Sequence, residues 1–351
     1  MSSLRLLLYP VSICYAWIVK LRNFLFDAGI FKSSVYDLPL ICIGNLKVGG
    51  TGKTPFTESL IRLLGASYNI ATLSRGYGRK TKGLLMAGFP ADATMVGDEP
   101  AQFKNKFPAI PVCVAEDRRT GIEALQKTGV QLILLDDAFQ HRKVRCGLNI
   151  VLLEYADLFR PVLALPAGNY REPFSSLDRA AMVLVTKSPG PVTAQLNQQV
   201  RERLKIRPET KLYFSEIVYD ALLPLYQTGN AKMPLLSEIR QVVLLTGIAR
   251  AEPLLTYLKS QGLTVIHQAY PDHHNFTPQN IRQLVGVFQA EKNVQTVLLT
   301  TEKDAQRLQS ARYSALLEHL PFYYLPIRAE IASAERLEFE SFIFDYVNSA
   351  L

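Results

Sequence analysis

Length, composition and charge limit this chain to a globular protein of soluble type. Its 351 residues, 48% hydrophobic and 20% charged, suffice for one large or two medium domains and exclude disordered, collagen-like and coiled-coil classes. The four cysteines include no CxxC pair, which excludes a disulfide framework or a cysteine-bound metal cluster and favours a reducing, cytosolic compartment. The net charge of +8 suits polyanionic partners such as nucleotides, nucleic acid or phospholipid surfaces.

The N-terminal segment, residues 1–35, has the composition of a helix that lies in a membrane interface. Residues 6–19 carry no charge, but this stretch includes Pro10 and is shorter than the roughly 20 residues of a spanning helix. Aromatic and basic residues accompany it, as in amphipathic helices at membrane surfaces. A first helix packed on the domain core is the alternative that the sequence leaves open. The residues behind the interfacial prediction are Arg5, Tyr9, Tyr15, Trp17, Lys20, Arg22, Phe24 and Phe26.

Further along the chain, short apolar runs alternate with segments of helical periodicity. Most of these runs are too apolar for half-exposed strands, which favours a parallel sheet covered by helices on both faces. Thr277 followed by Pro278 is a typical helix start. We therefore predict an α/β protein with a doubly wound, mostly parallel sheet. The predicted strands are 40–43, 70–73, 132–135, 150–153, 182–185, 242–245, 263–266 and 297–299.

The strongest chemical signal follows the first predicted strand. The sequence GNLKVGGTGKT at 44–54 leads into an amphipathic helix, which is the context of a phosphate-binding loop of the P-loop NTPase type. Backbone N–H groups of such a loop surround phosphate oxygens. Lys53 would reach the β- and γ-phosphates, and the Thr54 hydroxyl would bind Mg²⁺. The predicted ATP-binding residues are Lys47, Val48, Gly49, Gly50, Thr51, Gly52, Lys53 and Thr54.

Two acidic residues, Asp136 and Asp137, directly follow the apolar run at 132–135. A carboxylate at the end of a neighbouring strand is the usual partner of a phosphate-binding loop, because it lies near the metal ion. Adjacent residues point in different directions, so the sequence leaves open which of the two binds Mg²⁺. Ordinary turn formation is the alternative for this pair, as a plain glycine-rich turn is for the loop.

Residues 188–236 interrupt the alternating pattern with polar sequence and several prolines. We therefore expect a domain junction in this region. The predicted organisation is the membrane-surface segment at 1–35, a nucleotide-binding domain at 36–210 and a smaller α/β domain at 211–351.

Several motifs, in their order and spacing, resemble the tetraacyldisaccharide 4'-kinase family, the lipid A 4'-kinases of Gram-negative bacteria. The resemblance covers most of the chain. Two residues depart from the family pattern: Lys47 stands where the phosphate loop has its first glycine, and Ala138 replaces a glycine. The motifs are GGTGKTP at 49–55, SRGYGR at 74–79, GDEP at 97–100, DDAFQH at 136–141, LPAGNYREP at 165–173, PDHHNF at 271–276 and TTEKD at 300–304.

This resemblance implies a reaction, a cofactor and a location. The reaction is transfer of the ATP γ-phosphoryl group to the 4'-hydroxyl of a tetraacyl disaccharide 1-phosphate in lipid A biosynthesis, with Mg²⁺ as cofactor. The enzyme would be peripheral or monotopic at the cytoplasmic face of the bacterial inner membrane, and its smaller domain would close over the active site. Neither nucleic acid nor an obligate protein partner is expected.

The resemblance also implies roles for individual residues. Asp98 would be the base that accepts the hydroxyl proton, paired with His273; a loop cap and a surface histidine are the alternatives. Lys53 and Arg171 would act on phosphate charge as further catalytic residues. The remaining roles are Mg²⁺ binding by Thr54, Asp136, Asp137 and Glu172, support of these ligands by His141, and lipid contacts by Arg75, Tyr77 and Arg118.

Other functions compete with a kinase. Switch ATPases with a deviant phosphate loop carry KGGxGK[ST], whereas Val48 precedes the glycine pair here. A GTPase needs an Asn/Thr-Lys-x-Asp motif, whereas Pro189 follows Thr186, Lys187 and Ser188. A non-catalytic membrane-binding module would leave the loop and the acidic pair without a task. A phosphate-loop switch ATPase at the membrane surface is the alternative to the kinase.

Overall fold

Residues 3–226, 233–291, 295–309 and 311–351 are described by this computed structural model and form two β-sheets with flanking helices. The strands are β1 (Leu40–Asn45), β2 (Ile70–Ser74), β3 (Leu85–Met86), β4 (Val112–Val114), β5 (Leu132–Asp136), β6 (Leu148–Glu154), β7 (Met182–Thr186), β8 (Lys211–Tyr219), β9 (Leu223–Pro224), β10 (Gln241–Thr246), β11 (Thr264–Ala269), β12 (Thr296–Thr301), β13 (Phe322–Leu325) and β14 (Ile327–Ile331). The helices are α1 (Ser3–Leu6), α2 (Tyr9–Asp27), α3 (Lys53–Gly65), α4 (Ala93–Val96), α5 (Asp98–Lys106), α6 (Arg118–Gln126), α7 (Ala194–Leu204), α8 (Glu252–Ser260), α9 (Pro278–Glu291), α10 (Glu302–Leu308), α11 (Ala311–Leu317) and α12 (Arg336–Ala350).

The larger sheet has the strand order β14-β8-β7-β6-β1-β5-β2-β4-β3, and we call it and the elements packed on it the large domain. Its inner strands run parallel, and the edge strands β3 and β14 run antiparallel to their neighbours. Strands β1, β2, β5 and β7 are buried along their whole length. Burial on both faces explains their continuous apolar sequences and confirms the predicted doubly wound fold.

The central position of β1 creates the place where a ligand can bind. This strand pairs with β5 on one side and with β6 on the other, and Ile43 lies opposite Asp136 in the register. Since the three strands are parallel, their carboxyl ends meet at one edge of the sheet. Helix α3 starts at this edge, so its N-terminal N–H groups face the same crevice.

The smaller sheet has the order β11-β10-β12-β13-β9 and defines the small domain. Four of its strands are parallel, and β9 pairs antiparallel with β13. Apolar clusters cover both faces, so this domain has a core of its own. Thr277 caps α9 as predicted, because its Oγ1 accepts the Asn280 N–H, and all eight predicted strands are present.

The boundary predicted at 210/211 differs from the structure, because the chain returns to the large domain after forming the small one. Strand β8 pairs in parallel with β7, and β14 then pairs with β8. Helix α12 covers the same sheet with Phe339, Ile343 and Val347, all buried in the core. Residues 211–219 and 327–350 therefore belong to the large domain, which is discontinuous in sequence.

Helix α2 is fixed to the large domain by one side and exposes apolar side chains on the other. Ser12 and Val19 are buried, and the Ser12 hydroxyl accepts the Ala167 N–H at 2.9 Å. Trp17 and Ile18 are 68% and 67% exposed. Among the described residues, no helix combines the length and apolarity needed to cross a bilayer. The buried side agrees with a helix packed on the domain, and contact of the exposed apolar side with a membrane stays a prediction.

The packing of α12 on the large sheet is testable by a substitution in its core face. Ile343→Ala removes a fully buried side chain, so we expect the free energy of unfolding to fall by about 2–5 kcal/mol in urea titrations. Leu337→Ala, at a residue that is 82% exposed on the same helix, is the control and should change it by less than about 0.5 kcal/mol. Equal effects of the two substitutions would contradict this packing.

Candidate active site

The loop between β1 and α3 has the shape of a phosphate-binding loop. The Asn45 side chain donates to Thr51 Oγ1 at 2.8 Å, which closes the turn. Gly49 and Gly52 have φ angles of 111° and 83°, a region that favours glycine, and helix α3 begins directly afterwards at Lys53. The backbone N–H groups at this helix start and the Lys53 ammonium therefore share one crevice.

Lys47 does not face this crevice with its side chain. Its ammonium is buried, lies 3.3 Å from Glu154 Oε2 and contacts Asp157. Lys187 joins the same cluster and donates to the Gly50 carbonyl at 2.7 Å. The prediction that Lys47 binds ATP is therefore corrected. Only its backbone can do so, and its side chain supports the loop through its contacts with Glu154 and Asp157.

Asp136 and Asp137 lie beside the loop in different environments. Lys53 Nζ is 3.5 Å from Asp137 Oδ1, and Arg171 Nη1 is 3.1 Å from Asp137 Oδ2. Burial would raise the pKa of Asp137, but the charges of Lys53 and Arg171 lower it overall. Asp137 also has a φ angle of 48°, an uncommon conformation for a non-glycine residue that is typical of functional sites.

Asp136 is the carboxylate with an unsatisfied oxygen. Its Oδ1 is buried without a hydrogen-bond partner in the protein. Burial, opposed by Lys53 and reinforced by Asp137 and Glu99, raises the pKa of Asp136 to about 7. A hard cation would satisfy this oxygen, so the residues present fit Mg²⁺. The described residues contain no cluster of three or more His, Cys, Asp or Glu side chains suited to metal binding, but Mg²⁺ commonly keeps waters and phosphate oxygens as ligands.

Asp98 and His273 meet across the two domains. His273 Nδ1 lies 2.9 Å from Asp98 Oδ2, although 175 residues separate them in sequence. Asp98 is the first residue of α5, and Gly97 before it has a φ angle of 97°. A Cβ atom at Gly97 would lie only 2.9 Å from the Tyr77 carbonyl oxygen, so the GDEP and SRGYGR motifs pack backbone against backbone.

The two histidines of the PDHHNF motif have different partners. His273 adopts a φ angle of 58°, its N–H donates to the Gly247 carbonyl, and its ring lies edge-on to Tyr77. His274 instead stacks on Tyr270 and contacts the Asn280 amide oxygen. Only His273 therefore reaches Asp98.

Two cations that the sequence analysis did not select surround this pair. Arg307 Nε lies 3.1 Å from both carboxylate oxygens of Asp98, and Lys303 Nζ lies 3.2 Å from His273 Nε2. Lys303 belongs to the TTEKD motif, and Arg307 follows it by four residues on the same helix. This spacing places both on one helix face and is the signal that could have identified them.

Arg171 and Glu172 lie in a loop that contacts α2. The Glu172 carboxylate is buried, accepts from Arg22 at 3.0 Å and from Asn23 at 3.3 Å, and contacts Arg179. Glu172 thus fixes the Arg171 loop to the N-terminal helix. The predicted Mg²⁺ ligation by Glu172 does not fit this arrangement, because a metal ion would have to displace an arginine to reach it.

The remaining predicted residues divide between surface and interior. Arg75 is exposed and Tyr77 is 73% exposed, as expected of contacts to a large substrate. Arg118 is only 2% exposed and donates to the Ala115 carbonyl, which corrects its prediction as a direct lipid contact. His141 lies 3.8 Å from Asp117 rather than against the acidic pair, and burial and Arg118 lower its pKa to about 4.

Comparisons with known proteins identify the family of this chain. A family model described as tetraacyldisaccharide-1-P 4'-kinase matches residues 4–347. The chain belongs to this family. Tetraacyldisaccharide 4'-kinase of Flavobacterium psychrophilum is 42% identical over 100% of this chain and 99% of its own length, and that of Bacteroides thetaiotaomicron is 41% identical over 97% and 92%. The crystal structure of LpxK from Aquifex aeolicus in complex with ATP superposes with a TM-score of 0.73, at 30% identity over 98% of this chain and 99% of that one.

Family membership confirms the predicted function. The protein is an ATP-dependent lipid kinase of lipid A biosynthesis that phosphorylates the 4'-hydroxyl of its disaccharide acceptor. The switch ATPase is not favoured. Membership of the family does not by itself assign a role to each residue of the site.

Lys53 is the first residue whose role can be tested. Lys53→Ala removes the cation beside Asp137, so we expect phosphoryl transfer to fall by at least about 10²-fold in an assay with labelled ATP. The fold should be unchanged by circular dichroism, because Lys53 belongs to none of the apolar core clusters. Lys259→Ala, at an exposed position of α8, is the control with full activity. Full turnover by the Lys53 variant would contradict the phosphate-loop assignment.

Proposed function

We propose that this kinase uses Asp98 as the general base for phosphoryl transfer to the 4'-hydroxyl of a tetraacyl disaccharide 1-phosphate. The observation that carries the proposal is the 2.9 Å contact between Asp98 and His273 across the domains. A sugar hydroxyl is a poor nucleophile at neutral pH, so a carboxylate that accepts its proton during bond formation lowers the barrier.

The reaction then assigns one task to each group. The 4'-oxygen forms the new bond to the γ-phosphorus, its proton passes to Asp98, and ADP leaves with the bridging oxygen. Lys53 and Arg171 hold the phosphate charge from two sides, since both already contact Asp137 at the loop. His273 orients the Asp98 carboxylate through its hydrogen bond.

Mg²⁺ binding is assigned to Thr54, Asp136 and Asp137. The support for this assignment is the partnerless Oδ1 of Asp136 next to the phosphate loop. When bound, Mg²⁺ neutralises charge on the phosphate oxygens during transfer. Glu172 acts indirectly, because it holds the loop that carries Arg171.

The lipid acceptor contacts the exposed side of the same crevice. Arg75 and Tyr77 follow β2, and Tyr77 lies 5.7 Å from the His273 ring. An arginine suits the 1-phosphate because its planar guanidinium donates two parallel hydrogen bonds. We assign Arg75 to this phosphate and Tyr77 to the sugar or acyl region. Arg118 does not contact the lipid and supports this part of the crevice from the protein interior.

The exposed side of α2 places the enzyme at the membrane. We define the apolar surface of α2 as Val11, Ile13, Trp17, Ile18, Leu21 and Phe24, each at least 46% exposed. Lys20 flanks it and would face lipid phosphates, whereas Arg22 pairs with Glu172. Since ATP is a cytoplasmic substrate, we assign the enzyme to the cytoplasmic face of the inner membrane.

Asp98→Asn tests the base. The substitution preserves the shape of the side chain but removes the proton acceptor, so kcat should fall by about 10²–10⁴-fold with the KM for ATP changed by less than about twofold. Steady-state kinetics with labelled ATP and lipid acceptor in detergent micelles measure both constants. An unaltered kcat would leave Asp98 as a helix cap.

The membrane assignment is tested by changing the apolar surface of α2 while its contacts to the large domain are retained. In Trp17→Gln/Ile18→Gln/Leu21→Gln, binding to vesicles that contain anionic phospholipid should weaken by at least about tenfold, because apolar area no longer enters the interface. Affinity for ATP should be unchanged.

The control for this experiment is Leu337→Gln, which changes a leucine that is 82% exposed on α12. It should bind vesicles like the wild type. Undiminished vesicle binding by the triple variant would show that α2 is not the membrane contact.

A further inference from the structure

Helix α10 of the small domain presents two cations to the Asp98–His273 pair. Lys303 and Arg307 are four residues apart and thus lie on one face of this helix. Helix α5 of the large domain, which begins at Asp98, lies opposite this face of α10. The catalytic carboxylate is therefore held by a helix that belongs to the other domain.

Arg307 holds Asp98 in a bidentate arrangement. Its Nε lies 3.1 Å from each carboxylate oxygen and its Nη2 donates to Oδ2, so two N–H groups of the planar guanidinium fix the plane of the carboxylate. Arg307 is itself fixed, because Nη1 donates to Asp304 Oδ1 at 3.1 Å and its side chain is only 8% exposed. Asp304 in turn accepts the Gly247 N–H at 2.9 Å, which ties it to the loop after β10.

Lys303 acts on the other member of the pair. Its ammonium lies 3.2 Å from His273 Nε2 and 3.1 Å from Glu99 Oε1. An ammonium only donates and a carboxylate only accepts, so Nε2 accepts from Lys303 and Nδ1 donates to Asp98. These two partners favour a proton on Nδ1, and Arg307 Nη2 lies 3.2 Å from the same nitrogen.

We propose that Lys303 and Arg307 are positioning residues for the base, which assemble it only when α10 is docked against α5. The inference rests on the proposed role of Asp98. Arg307 sets the direction of the carboxylate lone pairs, and Lys303 sets the tautomer of the histidine that donates to it. Closure of the small domain thereby orients the Asp98 carboxylate and His273 together.

The electrostatic effect of these cations gives a distinctive signature. Burial would raise the pKa of Asp98, but the hydrogen bonds from His273 and Arg307 and the nearby Lys303 lower it overall. Asp98 must be ionised to accept a proton, so protonation of Asp98 itself should limit the wild type only at low pH. The charged and titratable groups around it are Arg307, Lys303 and Asp304 of α10, His273 and Asp272 of the loop after β11, and Glu99 of α5.

Arg307→Ala is the principal test. Because the carboxylate loses its orientation, kcat should fall by about 10²-fold while the KM for ATP changes by less than about twofold. The acidic limb of the pH profile of kcat/KM should move to higher pH, because Asp98 loses its closest cation. Arg307→Lys should recover part of kcat, since it restores the charge but not the bidentate contact.

Glu302→Gln is the matched control on the same helix. Glu302 pairs with Lys106 at 2.5 Å across the same interface but does not touch Asp98 or His273. This variant should retain kcat and the pH profile of the wild type. An equal loss in Glu302→Gln and Arg307→Ala would show that only domain docking matters and would overturn the positioning role.

A double substitution separates this inference from the proposed base. If Arg307 acts through Asp98, Asp98→Asn/Arg307→Ala should be no slower than Asp98→Asn alone, whereas independent roles would multiply the two losses. Multiplying losses, or an unmoved acidic limb in Arg307→Ala, would overturn the inference. Wild-type kcat in Asp98→Asn would instead refute the base itself.

Lys303→Met should lower kcat through the histidine, and its effect should vanish in a His273→Ala background. Persistence of the full effect in that background would overturn the role of Lys303.

Discussion

The contact between α5 and α10 is the interaction on which the proposed catalytic base depends. Asp98 has little meaning as a base within the large domain alone, because His273, Lys303 and Arg307 all come from the small domain. A buried carboxylate without partners would be costly, and two cations and a histidine remove that cost. The same contacts orient the carboxylate, so in the proposed mechanism domain docking and preparation of the base are one event.

The large domain supplies the other half of the chemistry through its topology. The parallel strands β1 and β5 end side by side, which places the phosphate loop against Asp136 and Asp137. Lys47 and Lys187 support the phosphate loop, and both pair with Glu154. Arg250 of the small domain contacts the same glutamate at 2.7 Å. The small domain therefore contacts the large domain beside the phosphate loop, through Arg250 and Glu154, as well as at Asp98.

Sequence reasoning worked where a single physical rule governed the outcome. Strands buried on both faces are continuously apolar, so runs such as 132–135 and 182–185 were found from hydropathy alone. It missed the short or half-exposed strands: β14 carries the exposed Glu330 and the half-buried Arg328, and β4 has three residues only. The domain division at 210/211 was wrong in detail because pairing of β8 and β14 is a long-range property that local pattern does not contain.

The candidate site shows the same difference between local motifs, which the sequence reveals, and long-range packing, which it does not. The phosphate loop and the acidic pair are local motifs, so both could be located from sequence, whereas the burial of Arg118 and the inward direction of Lys47 depend on packing. Arg307 has no motif of its own, and only the docking of the two domains brings it to Asp98. The partners of Glu172 come from α2 and from Arg179, which sequence spacing could not indicate.

Acceptor dependence of ATP turnover tests the account most directly. The full-length protein is incubated with γ-labelled ATP, Mg²⁺ and tetraacyl disaccharide 1-phosphate in detergent micelles, and label is counted in the organic phase against ADP formed. We expect one labelled lipid per ADP and almost no ADP without the lipid. Comparable ADP formation in the absence of lipid, with no label in the organic phase, would contradict the account.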